Sequence, residues 1–149
     1  MTQEVLFDKI SLVLWNVTYV SKENYIGIKE VCKMIVGIGL DIAEIPRIKE
    51  AYLKRETFSN RVLTPAEMEI FSRLKGNRQM EFLAGRYAAK EAFSKAMGTG
   101  IGKLGFQDIE IIPDSYGKPV VKKCPFQGKV FLSITHTDTI AAAQIILEK

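Results

Sequence analysis

The chain has 149 residues, with 21 Lys and Arg against 17 Asp and Glu, one histidine, two cysteines and a formal net charge of +4. That length suffices for one domain with its own core, and distant Cys32 and Cys124 with a single histidine argue against a disulfide framework or a zinc shell. No apolar run approaches the roughly 20 residues of a membrane span and no secretory signal opens the chain, so the expected setting is the cytoplasm, with no membrane partner.

Residues 1–33 are mixed in character: Glu4 and Asp8 precede a short apolar cluster, Leu12-Val-Leu-Trp15. Two readings stand side by side, a leader ahead of a domain that starts at Met34 and runs over 34–149, or an extra element packed on that domain. From Val36 the pattern becomes regular. Val36, Ile38, Leu40 and Ile42 alternate with Gly37, Gly39 and Asp41, which predicts a strand with a glycine-lined face that another element approaches closely. Asp41 is the only charge in that run.

Ile45, Ile48 and Tyr52 then take helical spacing behind Pro46, a residue tolerated in a first turn. Arg47, Ala51, Lys54 and Phe58 line a second face of this helix, basic with an apolar end. Thr64-Pro-Ala-Glu67 has the form of a capping box with proline at its first helical position, flanked by Leu63 and Met68 as a hydrophobic staple, and predicts a helix over 65–74. Lys75-Gly-Asn77 breaks the pattern, and a long alanine-rich helix is expected over 78–97, with Gly98 as its C-terminal cap. Strands are expected over 106–112, 119–121, 130–135 and 140–147, with turns at Gly117-Lys-Pro119 and Thr137-Asp-Thr139. The expected fold is α+β, an antiparallel sheet packed with a long central helix and shorter helices.

On the long helix Met80, Ala84, Tyr87, Glu91 and Lys95 share one stripe, which places a carboxylate and an ammonium one turn apart beside core residues. Asp41 and Glu91 together suit a hard cation, because magnesium takes few protein oxygens and completes its shell with water and substrate phosphate. The plainer alternatives are that Asp41 caps the next helix and that Glu91 pairs with Lys95 at i,i+4 spacing. Glu91 lies toward the negative end of the helix dipole, so something should compensate it. Arg86 lies on another face, where a solvated side chain is the plain expectation. Gly98-Thr-Gly-Ile-Gly102 reads as a phosphate cradle or as a helix cap, and lacks the strand before it that a P-loop needs. His136 ends the alternating run Val130, Leu132, Ile134 among threonine hydroxyls suited to phosphate.

Taken in order, several segments resemble the holo-acyl-carrier-protein synthase type of 4'-phosphopantetheinyl transferase. They are Gly37-Ile-Gly-Leu-Asp41, Arg61-Val-Leu-Thr64, the run Glu81 to Ala96 with Arg86, Glu91 and Lys95, Gly98 to Gly102, Phe106 to Glu110, Gly117-Lys-Pro119 and Ser133-Ile-Thr-His136-Thr137. The resemblance covers 34–149. It implies transfer of phosphopantetheine from coenzyme A to a serine of an apo acyl carrier protein, in support of fatty acid biosynthesis, with Mg2+ as cofactor. It implies Asp41 and Glu91 as metal ligands, Glu91 and Lys95 as catalytic groups, and Arg86, Lys95 and His136 as coenzyme A contacts. It further implies a homotrimer with interfacial active sites, and a carrier-protein docking face that includes Arg47, Lys54, Phe58 and Arg61. Family members often show more arginine on that face, where this chain has Lys54 and Thr57. The rival from another class is a basic nucleic-acid-binding module, which lacks stacking motifs, zinc spacing and a recognition helix here; no nucleic acid partner is expected.

Overall fold

The computed structural model describes residues 33–55 and 57–149; the expectation of a leader over 1–33 falls, but for Lys33, outside the described residues. The elements in chain order are β1 (Ile35–Glu44), α1 (Ile45–Lys54), α2 (Thr57–Val62), α3 (Pro65–Arg73), α4 (Gly76–Ala96), β2 (Glu110–Pro113), β3 (Pro119–Lys123), β4 (Lys129–His136) and β5 (Ile140–Glu148). β1, β5 and β4 form an antiparallel sheet in that order, and β2 with β3 forms a separate hairpin. The α+β expectation is met, with α4 as the central helix.

The glycine-lined face of β1 receives α4. A Cβ at Gly39 would collide with the Ala92 carbonyl oxygen, and one at Gly37 with that of Ala96. Alanine on the helix and glycine on the strand let two backbones meet without side chains between them. The helix side of the sheet continues through Ala141, Ala143, Ile145 and Leu147 of β5, all buried. Burial therefore favours the small residues of β1, and its apolar positions point the other way: Val36, Ile38, Leu40 and Ile42 are all about half exposed or more.

α4 is buried on several faces, with Leu83, Ala84, Ala88, Ala89, Ala92 and Phe93 fully enclosed, as expected of a helix that touches protein almost all round. It ends in a Schellman motif: Gly98 adopts φ +70°, its N–H donates to Lys95 O at 3.0 Å, and Thr99 N–H donates to Ser94 O at 3.2 Å, satisfying carbonyls the helix would leave bare. Of the two readings of the glycine run, the cap is the one this geometry matches. The capping box at Thr64 forms as expected, Thr64 N–H donating to Glu67 Oε2 at 2.8 Å and Glu67 N–H to Thr64 Oγ1 at 3.4 Å.

Three boundaries differ from expectation. The first helix stops at Lys54, where Arg55 turns extended, so Phe58 belongs to α2 and stacks on Tyr87 at 6.2 Å between centroids. The break before α4 falls at Lys75, and the helix starts at Gly76. Residues 106–108 form a 3-10 turn, not a strand: Phe106 turns its ring onto Tyr87 at 5.2 Å, and the Asp108 carboxylate accepts the Gly105 N–H at 2.8 Å. β2 begins only at Glu110.

Gly39→Ala should lower folding stability by about 3 kcal/mol or more, since helix backbone cannot yield as a side chain can. Denaturant unfolding against Gly76→Ala, at a site with open space around it but a positive φ of 59°, would separate crowding from backbone strain. Equal losses in the two variants would contradict the close approach.

Candidate functional site

The approach of β1 to α4 brings together residues fifty positions apart. The Lys95 ammonium donates to Asp41 Oδ1 at 2.8 Å and to the Leu40 carbonyl at 3.1 Å. The expected Glu91–Lys95 pairing is thus displaced, because the lysine reaches across to the strand carboxylate that the glycines admit. Asp41 does not serve as a helix cap either: α1 has Glu44 at its N-cap, and no side-chain capping bond.

Glu91 is half-buried beside Asp41. Desolvation first, and the neighbouring Asp41 charge second, raise its pKa above the ordinary carboxylate range, while a hydrogen bond with Tyr87 and the Lys95 charge oppose the shift. Burial and the same Glu91 raise the Tyr87 phenol. Two carboxylates that repel each other in a partly dry setting, with one ammonium between strand and helix, form a pair that gains from a divalent cation. Among the described residues no cluster of three or more His, Cys, Asp or Glu that could hold a metal ion occurs; magnesium itself asks for few protein oxygens, since water and phosphate complete its shell.

A second group of expected residues lies elsewhere on the chain. A cleft of about 340 Å³ is walled by Arg78, Glu81 and Arg86 of α4, by Pro113 and Pro119 of the β2–β3 hairpin, and by His136. Its lining includes neither Asp41 nor Glu91 nor Lys95. Arg86 is not the solvated side chain that its helix face predicted. It is buried, its guanidinium lies 4.3 Å from the Phe82 ring centroid, and its Nε donates to Ile111 O at 2.9 Å. Burial pushes its pKa down to about 10, with Glu67 acting against the shift, and it remains a cation at neutral pH. His136 Nε2 sits 3.2 Å from Arg78 Nη1 and 3.7 Å from Glu81 Oε2. The cleft lining therefore gathers Arg78, Arg86 and a histidine, a setting for anionic oxygen.

The expected docking residues divide. Arg47, Lys54 and Arg61 are exposed, whereas Phe58 is partly covered by its stack on Tyr87. Lys54 is engaged at 2.6 Å by Glu50 one turn earlier, a pair of exposed groups worth little in stability.

Sequence reading placed Glu67 in the capping box but missed Lys90 and the pair the two form. Both side chains are wholly buried and joined at 2.6 Å. The available signal was that Lys90 falls in helical register with Leu83, Arg86 and Phe93, the stripe that α4 buries. Tyr87, partner of Glu91, and Arg78, partner of His136, were likewise not assigned to the site.

A family model described as the 4'-phosphopantetheinyl transferase superfamily matches residues 37–145. The chain is similar to a holo-[acyl-carrier-protein] synthase of Enterococcus faecalis, 58% identical over 115 residues, which are 77% of this chain and 98% of that one. It is also similar to a solved holo-(acyl-carrier-protein) synthase from Bacillus anthracis in complex with CoA (3',5'-ADP), 50% identical with a TM-score of 0.73, covering 77% of this chain and 97% of that one. A third similarity is to the holo-[acyl-carrier-protein] synthase of Neisseria meningitidis, 37% identical with a TM-score of 0.71, over 78% of this chain and all of that one.

Because folding raises the pKa of Glu91, the folded state binds its proton more tightly than the unfolded chain, so this group costs stability at neutral pH and costs nothing below the unfolded value of about 4.5. Metal-free Glu91→Gln should therefore melt above the wild type at pH 7, the gain disappearing as pH falls below 4.5. A lower melting temperature at pH 7 would mean that Glu91 stabilises the fold.

Proposed function

From a chain that belongs to the 4'-phosphopantetheinyl transferase superfamily, we infer how its own residues divide the work of a holo-acyl-carrier-protein synthase. The reaction moves the phosphopantetheine arm of coenzyme A to a serine hydroxyl of apo acyl carrier protein and releases adenosine 3',5'-bisphosphate. The observation that carries the assignment of residues is the meeting of Asp41, Glu91 and Lys95 at the β1–α4 contact.

Asp41 and Glu91 would hold Mg2+, which when bound supplies charge neutralisation to the diphosphate, the main demand of phosphoryl transfer. Their mutual repulsion supports this ligand set. Lys95 lies with its ammonium already at Asp41 and stabilises negative charge gathering on the phosphate as the serine oxygen attacks. Glu91 accepts the serine proton directly or through one water. Arg86 and His136 bind anionic groups of coenzyme A at the cleft, with Arg78 holding the histidine ring. The product keeps the new serine–phosphate bond, and the broken bond leaves its electron pair on the departing nucleotide phosphate.

The cleft and the carboxylate cluster are separate places on one chain, and the sheet face opposite α4 is apolar. Ile38 and Ile42 are each 61% exposed, and Phe131 of β4 lies exposed on the same sheet. These two facts support a homotrimer in which that face is covered and one subunit's cleft serves its neighbour's carboxylates. Exposed apolar surface of this extent favours association. Arg47, Lys54 and Arg61, with the edge of Phe58, form the docking face for the acidic carrier protein, where charge speeds encounter more than it sets affinity. The cysteine usage fits a cytoplasmic setting, and no helix among the described residues is long and apolar enough to cross a membrane. Cell fractionation would check the compartment.

Incubation with apo carrier protein, coenzyme A and Mg2+ should add the phosphopantetheine mass to the carrier, and a competent carrier left unmodified would refute the activity. Asp41→Asn and Glu91→Gln should each lose most turnover, about a hundredfold or more, and should lose the rise in melting temperature that Mg2+ gives the wild type. Arg47→Glu should slow modification most at low salt. For the assembly, inactive Glu91→Gln and inactive His136→Ala chains, mixed after dissociation, should recover turnover. Recovery fails if each active site is built within one chain, and sedimentation as a monomer would remove the trimer.

A further inference from the structure

β2 pairs with β3 along one edge, and its other edge is met by side chains instead of a strand. Glu67 Oε1 accepts the Ile111 N–H at 2.7 Å, and Arg86 Nε donates to the Ile111 carbonyl at 2.9 Å. One residue of the hairpin is thus gripped at both backbone atoms by α3 and α4. Glu67 Oε2 is in turn fixed by Lys90 Nζ at 2.6 Å and by the Thr64 N–H at 2.8 Å. Lys90 completes its shell with the Val62 and Phe106 carbonyls at 2.7 and 2.9 Å. Neither Glu67 nor Lys90 reaches solvent, and neither side chain is hydrogen-bonded to Asp41, Glu91 or Lys95.

The gripped hairpin lines the cleft through Pro113, Gly117 and Pro119, and the gripping Arg86 lines it too. We propose that Glu67, locked by Lys90, is a positioning residue for coenzyme A: it docks the β2–β3 hairpin against α4 and so fixes both the width of the cleft and the direction of the Arg86 guanidinium. This rests on the reading of the cleft as the coenzyme site. A buried ion pair is a poor source of stability compared with apolar side chains of like volume, whereas a carboxylate is well suited to hold a backbone N–H and orient a neighbouring cation. A mutant that loses the clamp should bind the coenzyme more weakly while its phosphoryl chemistry, set by other residues, is preserved.

The test compares two double variants that both remove the buried charges. Glu67→Gln with Lys90→Met keeps an acceptor for the Ile111 N–H; Glu67→Leu with Lys90→Met does not. The leucine pair should raise KM for coenzyme A about tenfold with kcat nearly unchanged, and hydrogen exchange across residues 110–121 should quicken. The glutamine pair should stay near the wild type in both readouts. A folded leucine pair with unaltered KM and unaltered hairpin exchange overturns the proposal. Should that pair fail to fold, wild-type exchange with and without coenzyme A decides: slowed exchange in the hairpin supports the wall, and slowing elsewhere but not there overturns it. Slowing nowhere, together with no carrier modification, overturns the coenzyme reading itself and the proposal with it.

Discussion

A glycine strand laid directly on an alanine helix is the constraint from which the candidate site follows. Because Gly37 and Gly39 leave no room for a Cβ against the Ala96 and Ala92 carbonyls, β1 sits at backbone distance from α4. The next residue on that strand face is Asp41. Its carboxylate then comes within reach of Lys95 and within electrostatic range of Glu91. A larger side chain at either glycine would push the strand outward and separate the two carboxylates along with the backbones. The site's charge is held in place by packing, and the packing is exacting because atoms on both sides belong to main chain.

The same helix solves a second problem, at a different depth. Lys90 and Glu67 are charges taken wholly out of water, a costly arrangement unless every hydrogen-bonding position is filled. Here they are filled by each other, by three backbone N–H and C=O groups around the 62–64 and 106 segments, and by the Ile111 N–H. Burial presses the Lys90 ammonium toward its neutral form, and Glu67 acts against that pressure. α4 therefore displays three kinds of surface: alanines for the strand, a cationic core stripe for the turns and hairpin, and a polar end for chemistry. Such a helix shows little one-sided amphipathicity, because nearly all of its circumference has a partner.

The outward face of β1 reverses the usual assignment of apolar residues to the interior of the chain. Isoleucine, leucine and valine there are exposed, while glycine, alanine and aspartate face the helix. The reversal is intelligible if the interior of the assembly, and not only of the subunit, is counted as core. On the proposed assembly, the anionic and cationic halves of the site would meet between subunits instead of within one.

Much of this was legible in the sequence. The capping box at Thr64 to Glu67, the Gly98 cap, the turns near Gly117 and Thr137, and the alternation of β1, β4 and β5 are local, set by dihedral preference and period, and they lie where the pattern puts them. The ordered motifs around Asp41, Glu91 and Lys95 were sufficient to identify the family. Tertiary contacts decided the rest, because local pattern is silent about distant partners. Phe58 and Phe106 left their expected helix and strand to pack their rings on Tyr87; Lys95 chose Asp41 over the neighbour one turn away; Arg86, which read as solvated, and Lys90 were drawn inward by acceptors on Ile111, Val62, Phe106 and Glu67. Sequence by itself determined which elements form and which side chains can do chemistry. Only the folded arrangement decided which charges are paired and which are dry, since desolvation and pairing depend on atoms brought from far along the chain.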